Sequence, residues 1–122
     1  MENVVIAGAS RTAMGGFQGA LSPLKATDLG AAAVKAAIER AKLPADAVDR
    51  IYMGCVLPAG LGQAPARQAA LGAGLGLNTE ATTVNKMCGS GMQAAIMAHE
   101  ALAAGAADII VAGGMESMTN AP

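Results

Sequence analysis

Four short apolar runs, each separated from the next by a stretch of different periodicity, constrain the fold more than any other feature of this chain. Residues 4–9 (Val4-Val5-Ile6-Ala7-Gly8-Ala9), 50–57, 81–85 and 108–113 are mostly apolar or β-branched, with Arg50, Asn85 and Asp108 at their ends. Runs of this kind belong to strands covered on both faces. Between them, residues 27–42 place Leu29, Val34, Ala37, Ile38 and Ala41 at helical spacing, and Pro44 ends the run. Ser22-Pro23 reads as its cap and first-turn signal. Residues 65–71 predict a short helix broken by Gly72, Gly74 and Gly76, and residues 89–104 a long one ended by Gly105. The resulting order, β-α-β-α-β-α-β, predicts an α/β fold with a mostly parallel sheet and helices on both faces.

The 122 residues suffice for one domain with a real core. They are 53% hydrophobic but only 14% charged, against about 25% charged in ordinary globular domains. So thin a polar skin predicts that part of the surface is covered by further protein. The chain also stops at Asn120-Ala121-Pro122, just after a strand and a Gly-Gly turn, which reads as an interruption. Aromatic residues make up 2%, so the core is expected to be tight and built from small side chains. A net charge of -1 with scattered basic residues argues against nucleic acid. No apolar run reaches membrane-spanning length. The opening Met1-Glu2-Asn3 lacks a basic n-region, and a cytoplasmic location is expected. The two cysteines suit neither a disulfide framework nor a zinc motif.

Cys88 is the candidate nucleophile. Thr83-Val84-Asn85-Lys86-Met87-Cys88-Gly89-Ser90-Gly91-Met92 reads as strand, sharp turn, helix, with Cys88 at the helix start. Unpaired N–H groups and the helix dipole favour negative charge there, and the thiolate is the reactive form of cysteine. The same N–H groups suit an oxyanion in acyl transfer. From the junction alone, an inert buried thiol is an equal reading. Cys55, inside or at the end of a strand, reads as a small buried hydrophobe. His99, the sole histidine, lies eleven residues after Cys88. At 1.5 Å per residue that is about 16 Å along a helix, whereas an activating pair needs about 3 Å. His99 is therefore a surface or packing residue, and the chain offers a nucleophile without a base.

Gly60-Leu61-Gly62-Gln63-Ala64-Pro65 is a partial dinucleotide fingerprint without its third glycine or its acidic partner, and Pro65 reads better as a helix start. Neither a Walker A pattern nor a Gly-x-Ser-x-Gly elbow occurs. Glu116 follows the last strand at the edge where open α/β sheets place sites, and is read equally as a supporting group or a solvated carboxylate. Met87, Met92, Met97, Met115 and Met118 gather around the same elements, where core filling is favoured over an adaptable acyl pocket.

Asn85-Lys86-Met87-Cys88-Gly89-Ser90-Gly91-Met92-Gln93-Ala94 resembles the Cys-x-Ser nucleophile segment of the thiolase family. Residues 112–122, around Gly113-Gly114-Met115-Glu116, resemble its glycine-methionine-glutamate signature. Arg11-Thr12 with Gly15, Phe17 and Gly19 is similar to the family's first loop, and Gly62-Gln63-Ala64-Pro65-Ala66-Arg67-Gln68 to the loop and helix after its second strand. The resemblance is collinear over residues 1–122 and implies the N-terminal part of the first thiolase domain, without the loop domain and C-terminal half. It implies an acetyl-CoA acetyltransferase, joining two acetyl-CoA to acetoacetyl-CoA through an acyl-Cys88 intermediate and running the reverse thiolysis. The backbone N–H of Cys88 is implied as an oxyanion donor. The activating His, a water-positioning Asn and a second catalytic Cys belong to family segments absent here. The resemblance implies no metal or organic cofactor, coenzyme A thioesters as substrates, and a homodimer or homotetramer when intact. A longer-chain 3-ketoacyl-CoA thiolase stays open, as does a decarboxylating ketoacyl synthase, ranked lower. So does a non-catalytic fragment or interaction module, and the isolated chain is expected to turn over little or not at all.

Overall fold

The first helix starts later than its sequence signals indicate. In the computed structural model, which describes residues 3–122, Ser22 and Pro23 lie in a preceding turn. Helix α1 spans Ala26–Ala41. Its entry is closed by Asp28, whose carboxylate accepts the Lys25 N–H at 2.9 Å, half of a capping box. Its exit turns on Lys42 in the left-handed region (φ 56), with the Leu43 N–H reaching back to the Ile38 carbonyl, so the last carbonyls are satisfied. Ala26, Thr27, Gly30, Val34 and Ile38 form its buried stripe.

After a short 3-10 turn at Ala45–Ala47 come β1 (Arg50–Gly54), α2 (Pro65–Gly72), β2 (Glu80–Val84), α3 (Ser90–Ala103) and β3 (Ile110–Gly114). Strand β1 is central, with β2 and β3 parallel to it on either side. Successive strand residues point to opposite faces, and β1 uses both. Ile51 and Met53 join Val34 and Ile38 of α1 and Ala66, Ala69 and Ala70 of α2 in one core. Tyr52 packs on Ala94 and Ala98 of α3 on the other face. The parallel sheet with helices on both faces is thus as expected.

The first apolar run is different. Residues 4–9 form no strand, and Val5 and Ile6 are 75% and 90% exposed. The segment is instead tied to α1: Arg40 donates to the Ala9 carbonyl at 2.7 Å. A strand requires a paired neighbour, and none of the described residues pairs with this one, so the β-branched run stays extended and unpaired.

Asp49 fastens the opposite end of the sheet. Its carboxylate accepts the N–H groups of Asp108 at 2.8 Å and Ile109 at 3.1 Å. These bonds hold its pKa below the usual 3.8. A carboxyl whose pKa is lowered on folding stabilises the fold when ionised, and that contribution is lost as pH falls through the folded value. An Asp49→Asn protein is therefore expected to be less stable than wild type near pH 7. The two should converge in denaturant titrations as the pH falls below 3.8.

Candidate active site

Gly54, Val84 and Gly114 are level in the ladder, so the chain leaves all three strands along one edge, where open parallel sheets bind ligands. Residues 55–57, 85–89 and 115–118 emerge there together.

The segment after β2 makes a tight elbow. Asn85 Oδ1 accepts the Met87 N–H at 3.0 Å, an Asx turn that an asparagine at this position favours. Met87 sits in the left-handed region at φ 47. The Gly89 N–H then closes on the Lys86 carbonyl, and the Ser90 N–H on that of Met87. Cys88 lies between, one residue before the Gly89 cap of α3, and is exposed. Two features make so sharp a turn fit. Ser90, 4% exposed, accepts the Lys86 N–H at 2.8 Å and donates to the Met87 carbonyl at 2.6 Å. Gly54 lets α3 lie against the end of β1, since a Cβ there would be 2.7 Å from Ser90 Cβ and 2.9 Å from the Gly91 nitrogen.

Glu116 is a clamp between loops rather than a freely solvated carboxylate. One carboxylate oxygen accepts the Val56 N–H at 2.9 Å; the other accepts the Leu57 N–H at 3.1 Å and faces Cys55 Sγ at 3.5 Å. The carboxylate thus joins the exit of β3 to the exit of β1. Cys55 is 1% exposed. Burial first, then the negative charge of Glu116 and its hydrogen bond, push its thiol up to about 11. It is the small buried hydrophobe anticipated, while Cys88 is open to solvent, not buried as its alternative reading had it. Iodoacetamide at pH 8 is accordingly expected to label Cys88 in the folded chain and to reach Cys55 only after denaturation, as peptide mapping would register.

The loop after β1 is closed by its own side chain. Gln68 donates to the carbonyls of Leu61 and Gln63 at 2.8 and 2.7 Å, and Pro65 opens α2. The helix start anticipated at Pro65 is the one formed. His99 is exposed on α3, and no basic side chain among the described residues bonds Cys88. The methionines depart from expectation: Met115 is buried and Met97 half-buried, but Met87, Met92 and Met118 are exposed, so core filling accounts for only part of the group. Met115 fills a space that Gly30 leaves on α1. A cleft of about 240 Å³ beside it is walled by Ser10, Arg11, Thr12, Met14 and Glu116 among others, and not by Cys88. No group of three or more His, Cys, Asp or Glu among the described residues could hold a metal ion.

Sequence reasoning missed Ser90, Asn85 and Gly54 as builders of the elbow. The Asx-turn signal of Asn85 was present; the contact of Gly54 with α3 spans over thirty residues and left no local trace.

An open parallel sheet with a cysteine elbow between strand and helix defines the class: an α/β domain presenting an exposed thiol at its carboxyl edge. Residues 4–122 match the family described as thiolase, N-terminal domain, and the chain belongs to the thiolase family. It is 57% identical over its whole length to acetyl-CoA acetyltransferase B, mitochondrial, of Xenopus laevis, and 54% identical to the mitochondrial acetyl-CoA acetyltransferase of Homo sapiens. It spans 29% of the length of each. The crystal structure of Acat5 thiolase from Ascaris suum in complex with coenzyme A superposes with a TM-score of 0.94 at 43% identity, over 96% of this chain and 31% of that one. The cytoplasmic expectation is overturned by these relatives, which are named mitochondrial. Targeting signals are addresses read by receptors, so the charge and composition from which the cytoplasm was expected do not decide the compartment.

Proposed function

We propose that this chain is the N-terminal part of the first domain of an acetyl-CoA C-acetyltransferase. The observation that carries this reading is the exposed Cys88 thiol in an elbow at the carboxyl edge of a parallel sheet. The names of the relatives and the coenzyme A bound to the Ascaris protein agree with it. Cys88 Sγ attacks the carbonyl carbon of acetyl-CoA, the coenzyme A thiol leaves with a proton, and the acetyl group rests on sulfur. A second acetyl-CoA loses its α-proton to a base, and its carbon attacks the acyl-enzyme. Acetoacetyl-CoA departs and the Cys88 sulfur is free again. Run backwards, the sequence is thiolysis. The Cys88 N–H is suited to hold the oxyanion of each tetrahedral intermediate. Chemistry between two thioesters requires no metal or redox cofactor.

The activating base belongs to the remaining length of the relatives, so the isolated 122 residues are expected to turn over little. The exposed Ile6, Phe17, Leu77 and Met118 favour burial against the rest of the protein and a second subunit in a homodimer or homotetramer. The short acyl group is favoured over longer 3-ketoacyl chains by the relatives' names.

The test is the intact mass of the full-length protein after brief incubation with acetyl-CoA. One acetyl group is expected, absent in Cys88→Ser, together with loss of acetoacetyl-CoA thiolysis. Normal acetylation and turnover in Cys88→Ser would sink the reading.

A further inference from the structure

We infer that Ser90 is a positioning residue for the nucleophile, acting through the strained backbone of Met87; this rests on the proposed role of Cys88. A side chain in the left-handed region is strained, so Met87 at φ 47 must be held there by its surroundings. Three bonds converge on it. Asn85 takes its N–H, and Ser90 supplies both its N–H and its hydroxyl to the Met87 carbonyl. The same hydroxyl oxygen accepts the Lys86 N–H. One buried hydroxyl thus bridges the Asn85–Lys86 and Met87–Cys88 peptide units, which bracket the left-handed residue, and Cys88 is the next residue along.

The placement of that hydroxyl is itself fixed. Ser90 lies in the first turn of α3, against the missing side chain of Gly54, and cannot move toward the sheet without overlapping it. Its one donor and one of its two acceptor positions are spent on the elbow, so this hydroxyl has no proton left to donate to substrate. The side chain is 4% exposed while Cys88 beside it is open. Ser90 is therefore placed to set where the Cys88 sulfur points rather than to react.

The consequence is separable from folding and from substrate binding. Without the hydroxyl, the fixed cost at Met87 is less opposed, and the elbow relaxes toward ordinary dihedrals, swinging Cys88 away. Displacements near 1 Å cost about 100-fold in rate. Glycine at position 87 adopts positive φ without that cost, so it should return part of what the hydroxyl supplied.

The experiment compares full-length wild type, Ser90→Ala, Met87→Gly and the double variant, with acetoacetyl-CoA thiolysis as readout. For Ser90→Ala we expect kcat to fall about 10- to 100-fold with little change in KM. The double variant, judged against Met87→Gly, is expected to recover several-fold over Ser90→Ala. A folded Ser90→Ala enzyme with wild-type kcat overturns the inference. So does a loss carried by KM, or one that Met87→Gly leaves untouched, since either places Ser90 in substrate binding or general stability. Ser90→Cys, close in size with a weaker hydrogen-bonding group, takes the place of Ser90→Ala if that chain does not fold. Cys88→Ser is run alongside: if it keeps turnover, the proposed function itself has failed, whereas an inactive Cys88→Ser with an unimpaired Ser90→Ala removes only the role of Ser90.

Discussion

A Gly54→Ala protein is expected to lose about 1–3 kcal/mol of stability and about 100-fold in turnover, a large effect for one methyl group. The added Cβ would stand 2.7 Å from Ser90 Cβ, 2.8 Å from the Ser90 carbonyl carbon and 2.9 Å from the Gly91 nitrogen. Two of these neighbours are backbone, so no rotamer change relieves the overlap. The start of α3 must move away from β1, taking with it the hydroxyl that closes the elbow at Cys88. Gly113→Ala is the control. Its Cβ would first meet the Met53 sulfur at 3.3 Å, the flexible part of a long side chain, so less than about 1 kcal/mol should be lost and turnover should persist. Denaturant midpoints and thiolysis rates of the full-length variants give both quantities. Wild-type turnover in Gly54→Ala would mean that the end of β1 and the start of α3 are not rigidly coupled.

The sheet was readable where a strand needed only its own pattern and failed where it needed a partner. Residues within 50–57, 81–85 and 108–113 form β1, β2 and β3 because each finds a parallel neighbour. Residues 4–9 carry as strong a pattern, yet remain unpaired among the described residues, because pairing is a property of two segments. At the candidate site, the elbow that presents Cys88 was legible from its local order of β-branched run, turn and helix. Glu116 was only half legible: its place after β3 was evident, but both oxygens are committed to Val56 and Leu57, sixty and fifty-nine residues away. The methionines misled because hydrophobicity alone favours burial, and Met87 and Met92 flank an elbow at the sheet's open edge. The low charge content has its counterpart in the exposed apolar side chains of Val5, Ile6 and Phe17.

Glu116→Ala should show what that long-range clamp does. The carboxylate accepts two backbone N–H groups and the Cys55 thiol, and hydrogen bonds to charged groups contribute about 1.5–3 kcal/mol each. Because Val56 and Leu57 can recover water once the carboxylate is gone, we expect a total loss near the lower end, about 2 kcal/mol. The accompanying change at Cys55 is more diagnostic. Its thiol stands at about 11 in the fold against an ordinary 9.0, burial being the largest cause and Glu116 the next. Removing Glu116 should bring it down only part of the way, since burial remains. The folded chain holds this proton more tightly than the unfolded one, so stability falls with rising pH between about 9 and about 11. That alkaline loss should be shallower in Glu116→Ala, even though the variant is less stable at neutral pH. Thiolate absorbance of native Cys55 followed against pH, with Cys88 replaced by serine, should likewise rise at lower pH than in the Glu116 parent. Glu116→Gln, which keeps one acceptor and drops the charge, should fall between the two. If the Cys55 profile of Glu116→Ala matches wild type, burial alone sets that thiol, and the carboxylate acts only on the β1 exit.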